Sequence, residues 1–351
     1  MRRAEQAAPG TQRPDGERVS RRARWVDAFR RIAARLIVSA VFVWLALRGI
    51  RVATVFDDLA GATFAWLVGG LAVLAISFAI GALRWRLLAR GQGVELGLEG
   101  ALRYSWIGLF FTNVLPTGFG GDAVRAWIAG KRAGRLSRVT ASVLMDRLVA
   151  VWALVAVGAV AVLFEYGRLP RVAIVACLLS VAAVILGSLV LLVRAPARAL
   201  SRATARWPRG SGPIERVGEG LASYTGRRDL LARAFAISLA AQACVVLAAY
   251  MLARALGLHL SVELLAACIP VALLATATPT NINGLGVREA VFRVLLVPAG
   301  VLPAKAVAFS LMTVIAAAIV SLPGAVAWIV LRHRAPVEAP ASLPTASVSG
   351  G

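Results

Sequence analysis

The chain has 351 residues, of which 59% are hydrophobic and only 16% are charged, and its formal net charge is +22. An ordinary soluble domain is roughly 45–50% apolar and about 25% charged, so this composition excludes a soluble globular protein and indicates a polytopic membrane protein. The positive charge does not indicate nucleic-acid binding, because the arginines cluster in short segments beside apolar runs.

The apolar runs define the predicted helices. Residues 1–31 are polar and rich in arginine, and we expect them to form a disordered basic cytoplasmic tail. A spanning helix needs about 20 apolar residues, and six segments reach that length. They are 32–50, 64–83, 139–164, 172–193, 230–252 and 305–331. The transmembrane domain therefore covers 32–331, and the tail 332–351, which contains proline, serine and alanine, is predicted to be disordered.

Basic residues orient these spans, since cytoplasmic loops carry an excess of lysine and arginine. Basic clusters lie in the first tail, in 84–90, 131–138 and 194–229, and after residue 331. Placing them all in the cytoplasm puts both termini there and the protein in the plasma (inner) membrane. Five tryptophans near span ends are predicted interfacial anchors: Trp44, Trp66, Trp85, Trp106 and Trp328.

This orientation requires two further apolar regions, 104–129 and 264–302, to return to the side from which they enter. Each is predicted to be a re-entrant hairpin or a pair of short helices, and the two contain related sequences: LPTGFGGDAVRAW at 115–127 and TPTNINGLGVREA at 278–290. The predicted structural hinges are Pro116, Gly120, Gly121, Pro279, Gly284 and Gly286. Broken segments of this kind occur at membrane depth only beside protein or a water-filled cavity, and paired ones point to a transport site.

The same alignment relates the two halves of the chain. It places 64–83 over 230–252 and 139–164 over 305–331, and the charge pattern gives the two units opposite orientations. We therefore predict an all-α polytopic membrane protein, an inverted-repeat helical bundle with six full spans plus two re-entrant segments. Its units are about 64–164 and 230–331, joined through the cytoplasmic loop 194–229.

Six charged residues within or beside these apolar regions are the candidate substrate-binding site. They are Asp122, Arg125, Asp146, Arg147, Arg288 and Glu289. A charge in hydrocarbon costs several kcal/mol, so such residues pair or face water. The functional interpretation is that the arginines bind a lipid phosphate, for which guanidinium is well shaped, while the acids orient them or carry a coupling proton. The structural alternative is an Arg–carboxylate network that pins the broken segments.

No catalytic residues, metal site or cofactor are predicted, and we expect the protein not to be an enzyme. The cysteines Cys177, Cys244 and Cys268 lie in separate apolar runs, and no nucleotide-binding signature is present. One aspartate at a span end can suffice for a membrane glycosyltransferase, so that chemistry stays open.

Three segments resemble a known family, the lysylphosphatidylglycerol synthase transmembrane region, also called flippase-like. They are LPTGFGGDAVRAWIAGKRAG, SRVTASVLMDRLVAVWAL and NGLGVREAVFRVLL. The family patterns P-G-G-x-G-G-D-x-x-R, S-x-L-x-D-R and G-x-G-x-R-E are matched by Gly120, Gly121, Asp122 and Arg125, by Asp146 and Arg147, and by Gly284, Gly286, Arg288 and Glu289. The sequence departs from the family pattern at Thr117 and at 280–283, where small or glycine residues are more usual. The backbone of the re-entrant turns, or the substrate preference, is therefore expected to differ here.

The resemblance implies movement of lipids between leaflets, such as an aminoacylated phosphatidylglycerol or a lipid-linked sugar. Relatives that synthesise the aminoacyl lipid carry a large cytoplasmic domain after the last span, whereas about twenty residues follow Leu331 here, so we expect no aminoacyl transfer. The predicted partners are membrane lipids, either anionic phospholipid or lipid-linked sugar. The alternative is a membrane component of a polyprenyl-phosphate glycosyltransferase system with a glycosyltransferase partner, and a third hypothesis is a structural partner for another membrane protein.

Overall fold

The computed structural model describes residues 52–115, 120–164, 174–175, 178–179, 182, 211–276 and 286–333. Ten helices have defined bounds within these residues, which contain no strand. They are α1 (Val52–Ala60), α2 (Phe64–Gly91), α3 (Leu98–Val114), α4 (Gly120–Ala133), α5 (Leu136–Phe164), α6 (Ser211–Ala222), α7 (Arg228–Ala255), α8 (Val262–Thr276), α9 (Val287–Leu296) and α10 (Pro303–His333). The prediction of an all-helical protein is therefore confirmed for the part of the chain that is described.

Four helices, α2, α5, α7 and α10, are long and apolar enough to cross a membrane. The shortest of them has 28 residues, which at about 1.5 Å per residue exceeds a hydrocarbon core of about 30 Å. They correspond to four of the six predicted spans. The predicted span 32–50 and the terminal tails lie outside the described residues, and 172–193 lies almost wholly outside them.

The helices α2 and α7 pack antiparallel along their whole length. At one end the Thr63 N–H donates to the Ala255 carbonyl at 2.9 Å. At the other end the Arg227 guanidinium donates to the Gly91 carbonyl. The first helix of each predicted unit therefore runs in the opposite direction to its counterpart.

Each predicted re-entrant region contains two short helices among its described residues. The helices α3 and α4 pack together on either side of 116–119, and α8 and α9 do the same on either side of 277–285. The predicted hinges Pro116, Pro279 and Gly284 lie outside the described residues.

Two of the remaining hinge glycines have a clear steric reason. A Cβ on Gly121 would collide with the Gly108 carbonyl oxygen and with Thr112, so glycine is what allows α4 to lie directly against α3. Gly286 precedes α9 with a φ of 82°, a left-handed conformation that favours glycine. Gly120 begins α4.

The predicted cytoplasmic loop 194–229 is partly helical, because its second half contains α6, which packs against α5. The buried Tyr224 hydroxyl donates to the Leu88 carbonyl at 2.8 Å, and Gln92 Nε2 donates to the Gly220 carbonyl at 2.8 Å. Burial raises the pKa of the Tyr224 phenol, so it remains a neutral donor at physiological pH. These contacts hold α6 against the ends of α2 and α5.

Candidate functional site

Arg84 lies inside the bundle because α2 continues to Gly91 instead of ending near residue 83. Arg84 is only 7% exposed to solvent. The Arg84 Nε donates to Asp146 Oδ1 at 2.7 Å, and its Nη1 donates to Ser238 Oγ at 2.7 Å. This side chain therefore links α2 to both α5 and α7.

Asp146 lies between two arginines that come from different helices. It is 3% exposed and stands ten residues into α5, about 15 Å from the helix start. One carboxylate oxygen accepts from Arg84, and the other accepts from Arg125 Nη2 at 3.0 Å. An unpaired carboxylate at such a buried position would be strongly destabilising, so the two guanidinium groups are what permit its charge.

Arg125 joins this pair to the broken segment. Its Nη2 also lies 2.9 Å from Asp122 Oδ1 on the same helix, and the guanidinium carbon lies 4.8 Å from the centroid of the Trp85 ring, within cation–π range. The Trp85 Nε1 donates to Ser142 Oγ at 3.2 Å. The prediction of Trp85 as an interfacial anchor is wrong, since its side chain is fully buried.

Arg147 forms the open edge of the network. Its Nη1 lies 3.7 Å from Asp122 Oδ2, and its side chain is 45% exposed, whereas that of Asp122 is 22% exposed. The network of Arg84, Arg125, Arg147, Asp122 and Asp146 holds three positive and two negative formal charges, a net of +1. A buried, preorganised cluster whose five named residues sum to +1, with a half-exposed arginine at its edge, can hold an anion.

The second unit places its charged residues differently. Glu289 is buried, and its Oε2 accepts from the Gly286 N–H at 2.6 Å while its Oε1 accepts from Ser310 Oγ at 3.2 Å. Glu289 thus caps α9 and ties it to α10. Arg288 has a buried Nε that finds no hydrogen-bond partner among the described residues.

The structure therefore brings four of the six predicted site residues into one network and leaves Arg288 and Glu289 outside it. Among the described residues, no ion pair joins these two to the first-unit network. Sequence reasoning missed Arg84 and Ser238. The signal for Arg84 was the run of large apolar residues that continues past residue 83 at helical spacing, ending with Leu88.

No grouping of His, Cys, Asp or Glu in the described parts of the chain has the arrangement of a metal site. Cys268 is buried and Cys244 is partly buried.

Comparison with known proteins decides the family. The family described as lysylphosphatidylglycerol synthase TM region matches residues 32–324. The chain belongs to this family. The match to the lysylphosphatidylglycerol synthase TM region includes α1 to α9 and most of α10, and with them all six site residues predicted for this chain. Together with the four long apolar helices, it establishes a membrane-embedded, multi-pass protein. A comparison with curated proteins gave no match.

Proposed function

We propose that this protein is a lipid translocase that moves a phosphate-bearing lipid or lipid-linked sugar between leaflets. The observation that carries the proposal is the buried Arg–Asp network with a half-exposed arginine at its edge, built partly on the short helix α4. A rigid scaffold around one accessible guanidinium suits a phosphate that must bind and then leave. The chain contains no ATP-binding motif, so we propose secondary or facilitated transport without catalysis.

An inverted repeat provides the architecture for this function. The order of the two predicted units is matched helix for helix: α2 with α7, α3 with α8, α4 with α9 and α5 with α10. The antiparallel packing of α2 against α7 supports opposite orientations for the units.

The contacts between the two units support the same symmetry. In one direction, Trp106 Nε1 of α3 donates to the Val320 carbonyl of α10 at 3.0 Å. In the other, Gly158 of α5 packs closely against Pro270 of α8. Exchanging the units interchanges these two interfaces, as expected for a pseudo-two-fold axis in the membrane plane.

Re-entrant geometry is supported by helix length and by the meeting of helix ends. The helices α3 and α4 have 17 and 14 residues, about 25 and 21 Å, which is short of a hydrocarbon core of about 30 Å. Near the start of α3 and the end of α4, Arg132 Nη1 donates to the Tyr104 hydroxyl at 3.3 Å. The chain thus returns toward the side from which α3 starts, which we propose to be the cytoplasmic side.

In the proposed mechanism, Arg147 makes the first contact with the lipid phosphate. Its 3.7 Å contact with Asp122 is longer than an ordinary charge-assisted hydrogen bond, so a phosphate oxygen can displace the carboxylate. Asp122 and Asp146 keep Arg125 in place beneath this site, and Arg125 contributes positive charge there. Arg288, related to Arg125 by the repeat, would bind the phosphate in the second unit, with Glu289 fixing the start of its helix or taking part in proton coupling.

The test is leaflet exchange of fluorescent phospholipid and polyprenyl-phosphate probes in proteoliposomes. We expect the intact protein to exchange at least one probe class, and Arg147→Gln to lower its rate by about tenfold or more, as for the loss of one charge-assisted hydrogen bond to phosphate. Arg125→Ala and Arg288→Ala should abolish exchange in protein that is still inserted.

The matched control is Arg233→Gln, which removes an exposed arginine from the spanning helix α7 and should leave the rate unchanged. Exchange at the normal rate by the Arg125, Arg147 and Arg288 variants would refute the site. If the intact protein exchanges neither probe, the translocase proposal fails, and a sugar-transfer assay with a polyprenyl-phosphate donor then tests the glycosyltransferase-associated alternative.

A further inference from the structure

A second candidate site lies away from the Arg–Asp network, at the end of the bundle where α3 begins and α4 and α10 end. It is a cavity of about 340 Å³. Its lining consists of Glu99, Arg103, Arg132, Ala327, Val330 and Leu331. Small-molecule sites in proteins are typically about 300–1,000 Å³, so the space is sufficient for a headgroup.

The cavity has a basic side and an apolar side. Arg103 and Arg132 provide guanidinium groups from two helices, and Arg132 is oriented by its hydrogen bond to the buried Tyr104. The opposite wall is the last apolar turn of α10, where Val330 is 44% exposed. This pairing of two cations with a hydrocarbon surface matches a phosphate ester joined to an apolar body.

Glu99 determines how readily Arg103 can bind a phosphate. It forms an i,i+4 ion pair with Arg103 in the first turns of α3, and its own side chain is 83% exposed. Because an exposed ion pair of this kind is weak, a phosphate can compete for Arg103 at small cost. With Glu99 counted, the lining has two positive charges and one negative charge, a net of +1.

We propose that this cavity is a phosphate-ester site that holds a phospholipid headgroup at the membrane boundary. It is separate from the Arg–Asp network, whose residues do not line it. The charge pattern of the sequence predicts that this end of the bundle lies on the cytoplasmic side. Lipid binding here does not require translocation, and its role as a loading point for transport rests on the proposed function.

The test measures lipid binding alone, so its result does not depend on whether the protein transports lipid. Delipidated full-length protein in a neutral detergent is titrated with phosphatidylglycerol, and bound lipid is counted by native mass spectrometry. We expect Arg132→Gln and Arg103→Gln each to weaken the tightest binding event about tenfold, which corresponds to about 1.4 kcal/mol. Glu99→Gln should strengthen it about two- to fivefold, the range that exposed ion pairs are worth.

Lys131→Gln is the matched control. It removes the same charge from the same turn of α4, but Lys131 packs over Trp127 and does not line the cavity. Binding should be unchanged in this variant. If Lys131→Gln and Arg132→Gln weaken phosphatidylglycerol binding equally, the effect is one of general surface charge and the proposal is overturned. Normal binding by an Arg132→Gln variant with a normal melting temperature would also overturn it.

Water-soluble probes distinguish a phospholipid headgroup from a soluble phosphate as the occupant of the cavity. Inorganic phosphate and glycerol 3-phosphate are added in competition with phosphatidylglycerol. We expect neither to displace the lipid at concentrations a hundred times higher, because they lack the apolar body that packs on Val330 and Leu331. Displacement at equal concentration would overturn the phospholipid assignment in favour of a soluble phosphate.

Discussion

The buried carboxylate of Asp146 provides a sharp test of how the Arg–Asp network acts. Asp146→Asn keeps the size of the side chain but removes the charge that Arg84 and Arg125 share. Arg125 retains Asp122, while Arg84 retains, among the described residues, its bond to Ser238. Since breaking a buried ion pair from one side costs about 3–5 kcal/mol, we expect the free energy of unfolding to fall by about 3 kcal/mol or more.

Adding Arg84→Met to Asp146→Asn should change the free energy of unfolding in the stabilising direction. In Arg84→Met with Asp146→Asn, the buried cation and its counter-charge are both removed, and Arg125 still has Asp122. We expect the double variant to be more stable than Asp146→Asn alone by about 1–3 kcal/mol, because it no longer buries an unpaired guanidinium. A double-mutant cycle therefore measures the coupling of these two charges directly.

The assay is unfolding in mixed micelles, followed by tryptophan fluorescence at increasing SDS. Glu99→Gln is the control, since it breaks an ion pair whose carboxylate is exposed and should cost no more than about 1 kcal/mol. If Asp146→Asn costs no more than Glu99→Gln, or if the effects of the two single substitutions simply add, the network does not hold α2 against α5 in the way described.

Two further predictions concern packing and orientation. Gly121→Ala should destabilise the protein by about 1–3 kcal/mol, because its Cβ overlaps the backbone of α3, whereas Gly218→Ala, with open space around it on α6, should be neutral or gain up to about 1 kcal/mol; equal unfolding curves for the two variants would contradict the close approach. In a background without the three native cysteines, Arg216→Cys should react with a membrane-impermeant maleimide only from the cytoplasmic side, and Glu263→Cys only from the opposite side. Labelling of both from one side would show that α7 does not cross the membrane and would refute the orientation predicted for the second unit.

Several features of the fold could be read from local sequence. Long apolar runs identified α2, α5, α7 and α10 as spans, because length and hydropathy alone decide whether a helix can cross a bilayer. Proline and glycine predict the two breaks, since they disfavour continued helix, but the residues concerned, 116–119 and 277–285, lie outside the described part of the chain. The predicted end of α2 was too early, because charged residues such as Arg84 look like a membrane boundary whether they reach water or a buried partner.

The composition of the network was only partly predictable. Asp122 and Arg125 lie three residues apart, and three-residue spacing on a helix brings side chains together, so their pairing follows from local geometry. Asp146 was recognisable as an unusual charge in an apolar helix. Its second partner was not, because Arg84 is 62 residues away and meets it only through the packing of α2 on α5.

The sequence by itself thus determined the class of protein, four of its spans and the presence of charges that had to be neutralised, because all of these depend on the solvent and on short-range geometry. The tertiary structure decided which charges neutralise which. It pairs Arg84 with Asp146 and packs Trp85 against Arg125. Glu289 instead accepts hydrogen bonds from Gly286 and Ser310. Arg147 lies at the half-exposed edge of the network. The reason is physical: helix periodicity gives each helix its faces, but only interhelical packing selects which faces meet.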